Sequence, residues 1–257
     1  MRGLPRELWV AAALAGALVA LVTQALAGPK TDADLPERFR KSPYSLMSLS
    51  VGAPANGWQL RAKKLRPSPS LRLKAGSGGA VYGHPALVLM LQRTATQMAR
   101  EAPGSILLVG DLSTEFGGPL AGHRSHQSGR DADVGFFAVD ARGRPRQLDR
   151  FVAFDSNGNA KDRSGLHFDD YRNWLMVQMW LRDQRAVVKY VFISTPLRQR
   201  LLDFARRRPA FRKYADAAAL LLLQPHNSSA HDDHFHVRIA CPARHEGLCV
   251  EQGHVND

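Results

Sequence analysis

Two short stretches, about a hundred residues apart, concentrate side chains that can bind a metal ion or move protons. The first reads Gly122-His123-Arg124-Ser125-His126-Gln127-Ser128-Gly129-Arg130-Asp131-Ala132-Asp133, and the second His231-Asp232-Asp233-His234-Phe235-His236-Val237. Five of the ten histidines fall in them, so the histidines are clustered rather than dispersed. In an extended strand, side chains two apart share a face. His234 and His236 then point one way, while Phe235 and Val237 pack on the other side. One imidazole of the pair can bind a metal, and the other can stand beside it as an acid or base. Asp133 opens its own strand and can reach the same point, and His126 comes from the loop seven residues earlier. Three N and O ligands plus a water form the pattern of a catalytic zinc site. Zinc lowers the pKa of its water to about 7 and so supplies hydroxide near neutrality. The spacing thus points to one Zn2+ held between the two stretches, a site with several possible jobs. An HxH pair alone is a weak signal, and on spacing alone other metal or non-metal histidine clusters stay open.

The elements that must position these groups follow from periodicity. Residues Leu87, Leu91, Ala95 and Met98 repeat at three to four, with Pro85 suited to a first turn, which predicts a helix over 85–101. Residues 105–111 read as a buried strand, and 133–139 as a second. The stretch 140–168 is a long polar connection, of a length usually functional or partly structured. A helix follows at 169–183, then the clearest strand, 186–194, by its β-branched and aromatic content. Helices are predicted from Pro196 to about Arg208 and from Phe211 to about Leu222, and a last strand at 234–239. Residues 28–80, rich in Pro, Gly, Ser and Lys, read as an extended arm with short strands near 58–61 and 70–73. The fold class is α+β, a small and mainly antiparallel sheet flanked by helices, with the zinc site at the sheet.

Arg2 and Arg6, the apolar run from Leu8 to Val22, and Ala25-Leu26-Ala27 have the order of a secretory signal peptide over residues 1–27. The run is short of the roughly 20 residues that span a bilayer, so cleavage is favoured over a retained anchor. Residues 28–44 then form an N-terminal arm, and 45–257 the domain. Export puts Cys241 and Cys249 in an oxidising compartment, where they can form a disulfide just after the last strand. Their spacing is too long for a CxxC zinc pair. The formal charge is +12. Such a balance ordinarily suggests nucleic acid, which an exported protein rarely meets, so anionic envelope polymers are the expected partner. The alternative of equal weight is a set of solvated arginine faces, since the basic residues are scattered except at Arg206-Arg207-Arg208.

The sequence resembles the penicillin-insensitive murein endopeptidases, metallopeptidases of the wider group that includes lysostaphin-type and D-Ala-D-Ala peptidases. Tyr82-Gly83-His84-Pro85-Ala86-Leu87-Val88 with Gln92-Arg93 is similar to that family's YGHPxLV…QR segment. Residues 122–133 are similar to its GHxSHQxGxDxD segment, and residues 231–238 with Cys241-Pro242 to its HxxHxHVRxxCP segment. Phe192-Ile193-Ser194-Thr195-Pro196 fits as well, and the likeness runs in order over roughly 45–252. It implies His126, Asp133 and His236 as zinc ligands and His234 as the catalytic histidine. His123 and His231 match further histidines near the metal, as extra ligands or as groups that orient one. Asp131 is expected to pair with a local arginine, and His84 to cap the helix that follows it. Two departures stand out: the well-known members carry more cysteines, and 140–168 does not follow the family pattern, which puts in doubt any second metal site through His167 or Asp170.

The resemblance therefore implies a periplasmic zinc endopeptidase that cuts D-alanyl–meso-diaminopimelyl cross-links in peptidoglycan by attack of zinc-bound water. No serine nucleophile is needed, so β-lactams would have nothing to acylate. The alternatives are a D,D-carboxypeptidase or dipeptidase of the same zinc group, and a non-catalytic wall-binding module.

Overall fold

A computed structural model describes residues 30–225 and 229–251. The signal segment expected at 1–27 lies outside the described residues. The chain divides between Ser45 and Leu46 into two compact units. In the first, Asp32–Asp34 and Glu37–Arg40 form single helical turns in place of the irregular arm that composition predicts. Thr31 and Asp34 close a capping box over the first turn, with the Thr31 amide donating to Asp34 Oδ2 at 2.7 Å.

The second unit is built on a six-stranded sheet. Its strands are β1 (Leu71–Leu73), β2 (Leu107–Val109), β3 (Asp131–Gly135), β4 (Val188–Phe192), β5 (Leu222–Leu223) and β6 (His234–Ile239), in the spatial order β5-β4-β6-β3-β2-β1. The three central pairings are antiparallel, as expected, but both edge pairings are parallel. The reason is connectivity, since parallel neighbours need a crossover. Helix α1 (Pro85–Glu101) lies in the chain between β1 and β2. Helices α3 (Thr195–Arg206) and α4 (Ala215–Leu221) lie between β4 and β5. Helix α2 (Asp170–Arg182) precedes β4. The helix predicted over 211–222 is broken, because Pro209 starts a separate turn, Pro209–Arg212, before α4 begins.

Three other sequence-based boundaries move. Residues 70–73 are not part of an arm but supply the sheet's edge strand, and Asn56–Leu60 pairs with Leu49–Ala53 as a hairpin. The second predicted strand starts two residues early, at Asp131, and stops at Gly135. Beyond it, the Asn173 side chain replaces a ladder partner: it accepts from the Phe137 amide and donates to the Phe137 carbonyl, both at 2.9 Å. The chain then turns into a small three-stranded sheet in which Ala138–Val139 pairs with Pro145–Arg146 and His167–Phe168. The long connection 140–168 is thereby anchored, with Val152, Phe154 and Phe168 buried.

Alternation sorts β3 and β6 into two faces. Ala132, Val134, Phe235, Val237 and Ile239 enter the core, where Trp180 of α2 meets Phe235 edge-on at 5.5 Å between centroids. Burial of each large apolar side chain there contributes about 1.5–3 kcal/mol. The opposite face carries the acids and histidines. After β6, Cys241 and Cys249 form the expected disulfide. A cross-link over so short a loop stabilises by roughly 2–3 kcal/mol. It anchors the chain end along Leu49–Ala53, through the Gly52 amide donating to the Leu248 carbonyl at 2.9 Å and the Val250 amide to the Gly52 carbonyl at 3.0 Å.

His84 caps α1, its Nδ1 accepting from the Ala86 amide at 3.3 Å, with Pro85 in the first turn. Its ring packs edge-on against buried His245, at 5.4 Å between centroids, and His245 Nδ1 accepts from the Ser50 amide at 3.3 Å. Burial, followed by mutual repulsion and the nearby Arg130 charge, pushes His84 down to about 4, and burial with Arg130 does the same to His245. Both are neutral in the native chain. Between about 4 and 6.5 the unfolded chain binds protons that the native chain refuses, so stability falls as pH is lowered through that window. Urea unfolding between pH 7 and pH 4 should show this fall. His84→Asn, which keeps a capping acceptor and cannot titrate, should make it shallower.

Candidate active site

Strands β3 and β6 place the site by register. His236 lies opposite Asp133, Arg238 opposite Asp131, and His234 opposite Gly135. All six positions share the face turned away from Phe235 and Val237. Asp131 is fully buried and accepts three hydrogen bonds: from Arg238 Nε at 2.6 Å, from His236 Nε2 at 3.0 Å and from the His126 amide at 3.1 Å. The local arginine expected to pair with Asp131 is thus its cross-strand neighbour.

These bonds fix which nitrogen of each histidine faces inward. His126 Nδ1–H donates to the Leu112 carbonyl at 2.6 Å, which turns Nε2 toward Asp133. His236 Nε2–H donates to Asp131, which turns Nδ1 toward Asp133. His234 Nδ1–H donates to Asp233 at 2.6 Å, leaving Nε2 facing the same point. Asp133 Oδ1 therefore has His126 Nε2 and His236 Nδ1 at 3.3 Å and His234 Nε2 at 3.4 Å. His126 Nε2 and Asp133 Oδ1 are buried without an aligned hydrogen-bond partner. Leaving such atoms unpaired costs about 1–3 kcal/mol each unless something else occupies the point between them. A cation of borderline softness, taking imidazole nitrogen and carboxylate oxygen, suits this donor set.

His123 belongs to the same cluster. Its Nε2 lies 3.2 Å from Asp111 and its Nδ1 3.8 Å from Asp133. Among the described residues, His123, His126 and Asp133 form the one group whose donor atoms all lie within 4.8 Å of one another. His231 stands on the far side of His234, at 5.4 Å between ring centroids, with its Nδ1 bonded to the Ser229 carbonyl at 2.8 Å. His126 and His231 both hold left-handed backbone, at φ 70° and 50°. Such strain costs about 1–3 kcal/mol per non-glycine residue and persists where surroundings enforce it. His167 and Asp170 stay apart from the cluster: His167 pairs with Val139 in the small sheet, and both oxygens of Asp170 bind Arg200 at 2.6 Å.

The electrostatics separate the histidines. Burial disfavours a charge on His234, but the carboxylates of Asp133 and Asp233 outweigh it and push the group up to about 10. Burial also opposes a charge on His126, where the carboxylate of Asp133 prevails and the shift is upward. Burial would raise Asp131 and Asp133, yet Arg238 holds the first well below the usual carboxylate range, and the His126 and His234 charges hold the second there. His231 goes the other way: burial and the charges of His236 and His234 push it down to about 4.

Two parts of the site were not foreseeable from the histidine motifs. Asp111 engages His123 from the end of the strand predicted at 105–111. Phe151, from the connection at 140–168, stacks on His234 with centroids 4.8 Å apart and ring planes 18° from parallel.

Removing Asp131 would strand a buried guanidinium. Asp131→Ala should lower stability by about 3–5 kcal/mol in urea unfolding, and the loss should shrink when Arg238→Leu is added.

A model of the family described as penicillin-insensitive murein endopeptidase matches residues 50–257. The chain is 29% identical over 206 residues to the penicillin-insensitive murein endopeptidases of Salmonella typhimurium and Salmonella enteritidis, and each match covers 76% of this chain and 67% of the relative. The protein of the same description from Salmonella arizonae matches to the same extent.

Proposed function

Because the chain belongs to the penicillin-insensitive murein endopeptidase family, we propose that it is a zinc-dependent peptidase of the periplasm that hydrolyses D-alanyl–meso-diaminopimelyl cross-links in peptidoglycan. The observation that carries this reading is the convergence of three imidazole nitrogens on Asp133 Oδ1 within 3.4 Å. Two of its buried atoms lack any other partner.

His126, Asp133 and His236 would hold the ion, with His123 beside them. A bound zinc ion supplies Lewis acidity and makes a water acidic enough to ionise near pH 7. The remaining work falls to the chain. Asp131 fixes the His236 ring, and the Leu112 carbonyl fixes His126, so neither has to reorganise as charge develops. His234 is tethered at Nδ1 by Asp233 and presents Nε2 to the reacting centre; the neighbouring carboxylates keep it protonated near neutral pH, so it can give its proton to the departing amine. In its protonated state the same ring stabilises the oxyanion. His231, neutral and buried next to it, adds no competing charge.

No helix among the described residues is long and apolar enough to cross a membrane. The formal charge of +12 supports adsorption on an anionic sacculus. Binding to purified sacculi should therefore weaken as salt is raised, because screening shortens the reach of that charge.

Mass analysis of sacculus digests tests the reaction itself. Cross-linked dimers should give monomers cut at the D-alanyl–diaminopimelyl bond, a chelator should stop the cleavage, and added zinc should restore it. Release of terminal D-Ala alone would instead identify a carboxypeptidase. His234→Ala should retain bound zinc while hydrolysis drops by about 10²–10⁴-fold. A variant that cleaves as fast as the parent would remove His234 from the mechanism.

A further inference from the structure

Two glycines beside the site border one aromatic ring, and at one of them the ring leaves no room for a side chain. A Cβ on Gly110 would lie 2.5 Å from Phe151 Cζ and 3.0 Å from Cε2. A Cβ on Gly135 would lie 3.1 Å from Leu108 Cδ2 and 3.2 Å from Phe151 Cδ1, a tight fit shared by two side chains. Neither glycine adopts a positive φ, so the backbone conformation does not call for glycine at either position. Gly110 follows β2, and its amide donates to the carbonyl of Asp133 at 2.8 Å. Gly135 is the direct cross-strand partner of His234. The missing side chain at Gly135 thus leaves space beside the His234 imidazole that Leu108 and Phe151 share.

The ring is only partly buried, unlike Phe136, Phe154 and Phe168 in the core. It lies nearly parallel to the imidazole, at 4.8 Å and 18°. Lys74 brings its ammonium 5.5 Å from the Phe151 centroid. The in-plane contacts of His234, with Asp233 at Nδ1 and Asp133 at Nε2, locate the two nitrogens. They leave the ring free to tilt about the line that joins those nitrogens. A flat partner on the ring face removes that freedom, and aromatic pairing of this kind contributes about 0.5–1.5 kcal/mol beyond area burial.

We propose that Phe151 is a positioning residue that fixes the plane of the His234 imidazole, and that Gly110 is a glycine because the Phe151 ring takes its side-chain space. The proposal rests on the acid role given to His234 above. Phe151 comes from the connection 140–168, so that long polar segment supplies part of the geometry of the site.

Four variants test this. Phe151→Leu keeps apolar bulk and loses the flat face. Gly110→Ala keeps Phe151 and pushes its ring out with a methyl group. Phe151→Ala and Phe151→Ala/Gly110→Ala should behave alike, because the methyl group meets no ring once Phe151 is gone. In the full-length protein, kcat on cross-linked muropeptides should fall on the order of tenfold to a hundredfold in Phe151→Leu and Gly110→Ala, the scale expected for a slightly misplaced catalytic group. KM and bound zinc should stay near the parent values. The NMR signals of the His234 ring protons should move downfield in both variants, since they lose the ring current of Phe151. That shift is readable without any activity. If it is present while the parent protein cleaves no murein, the proposed function fails and the stack stands. If the His234 signals do not move, or kcat stays at the parent level in a Gly110→Ala protein whose ring has shifted, the positioning role is overturned. Should Phe151→Leu fold poorly, Gly110→Ala with an intact Phe151 gives the same two readings.

Discussion

The register between β3 and β6 is the constraint on which the rest of the site depends. Asp131 opposite Arg238 and Asp133 opposite His236 place four polar side chains in two adjacent cross-strand pairs on one face. A slip of one residue would send all of them into the core and bring Phe235 and Val237 out, since successive side chains alternate between faces. The core side of β6, anchored by the Phe235–Trp180 contact, therefore defends the chemistry on the other side. Packing and catalysis are not separate achievements in these strands. The apolar alternation that stabilises the sheet is what aims the imidazoles.

Within that frame, each histidine is set by a bond on the nitrogen that does not face the centre. A carbonyl, Leu112, holds one; a buried carboxylate, Asp131, holds another; and a partly buried carboxylate, Asp233, holds the third. The cost is concentrated locally, in two left-handed histidines, a buried ion pair and unpartnered polar atoms. The apolar cluster around Trp174, Trp180, Phe154 and Phe235 offsets it at a distance. This distribution is expected where a cation completes the polar set, because the strain and the desolvation then serve one ligand rather than the fold.

Much of this was legible in the chain. The HxH alternation placed His234 and His236 on one face, His84 caps the helix as expected from the segment shared with the family, and the helix at 85–101 was read to the residue. What was not legible came from contacts across long separations. Nothing local shows that Arg238, 107 residues away, is the partner of Asp131. Nor does it show that parallel edge strands flank an antiparallel centre, because that depends on where crossovers land. Phe151 was hidden for another reason. It sits in a polar connection with no periodicity, and its signal is the absence of a side chain at Gly110, a position that local sequence gives no reason to link to residue 151.

Arg130 has a further consequence. It is fully buried at the entrance of β3, and its guanidinium donates to the carbonyls of Ile239 and Val250 and to Glu251. The strand that carries Asp131 and Asp133 is thus tied to residues at the far end of the chain, beyond the disulfide. A growing polypeptide could complete α1, β2 and much of the first histidine stretch while their partners were still unmade. The centre cannot close until β6 and the segment after it have been synthesised and folded back across more than a hundred residues. Assembly of the site is in this sense late: a chain cut short before β6 would carry two of the three proposed ligands, His126 and Asp133, and none of the assembled site.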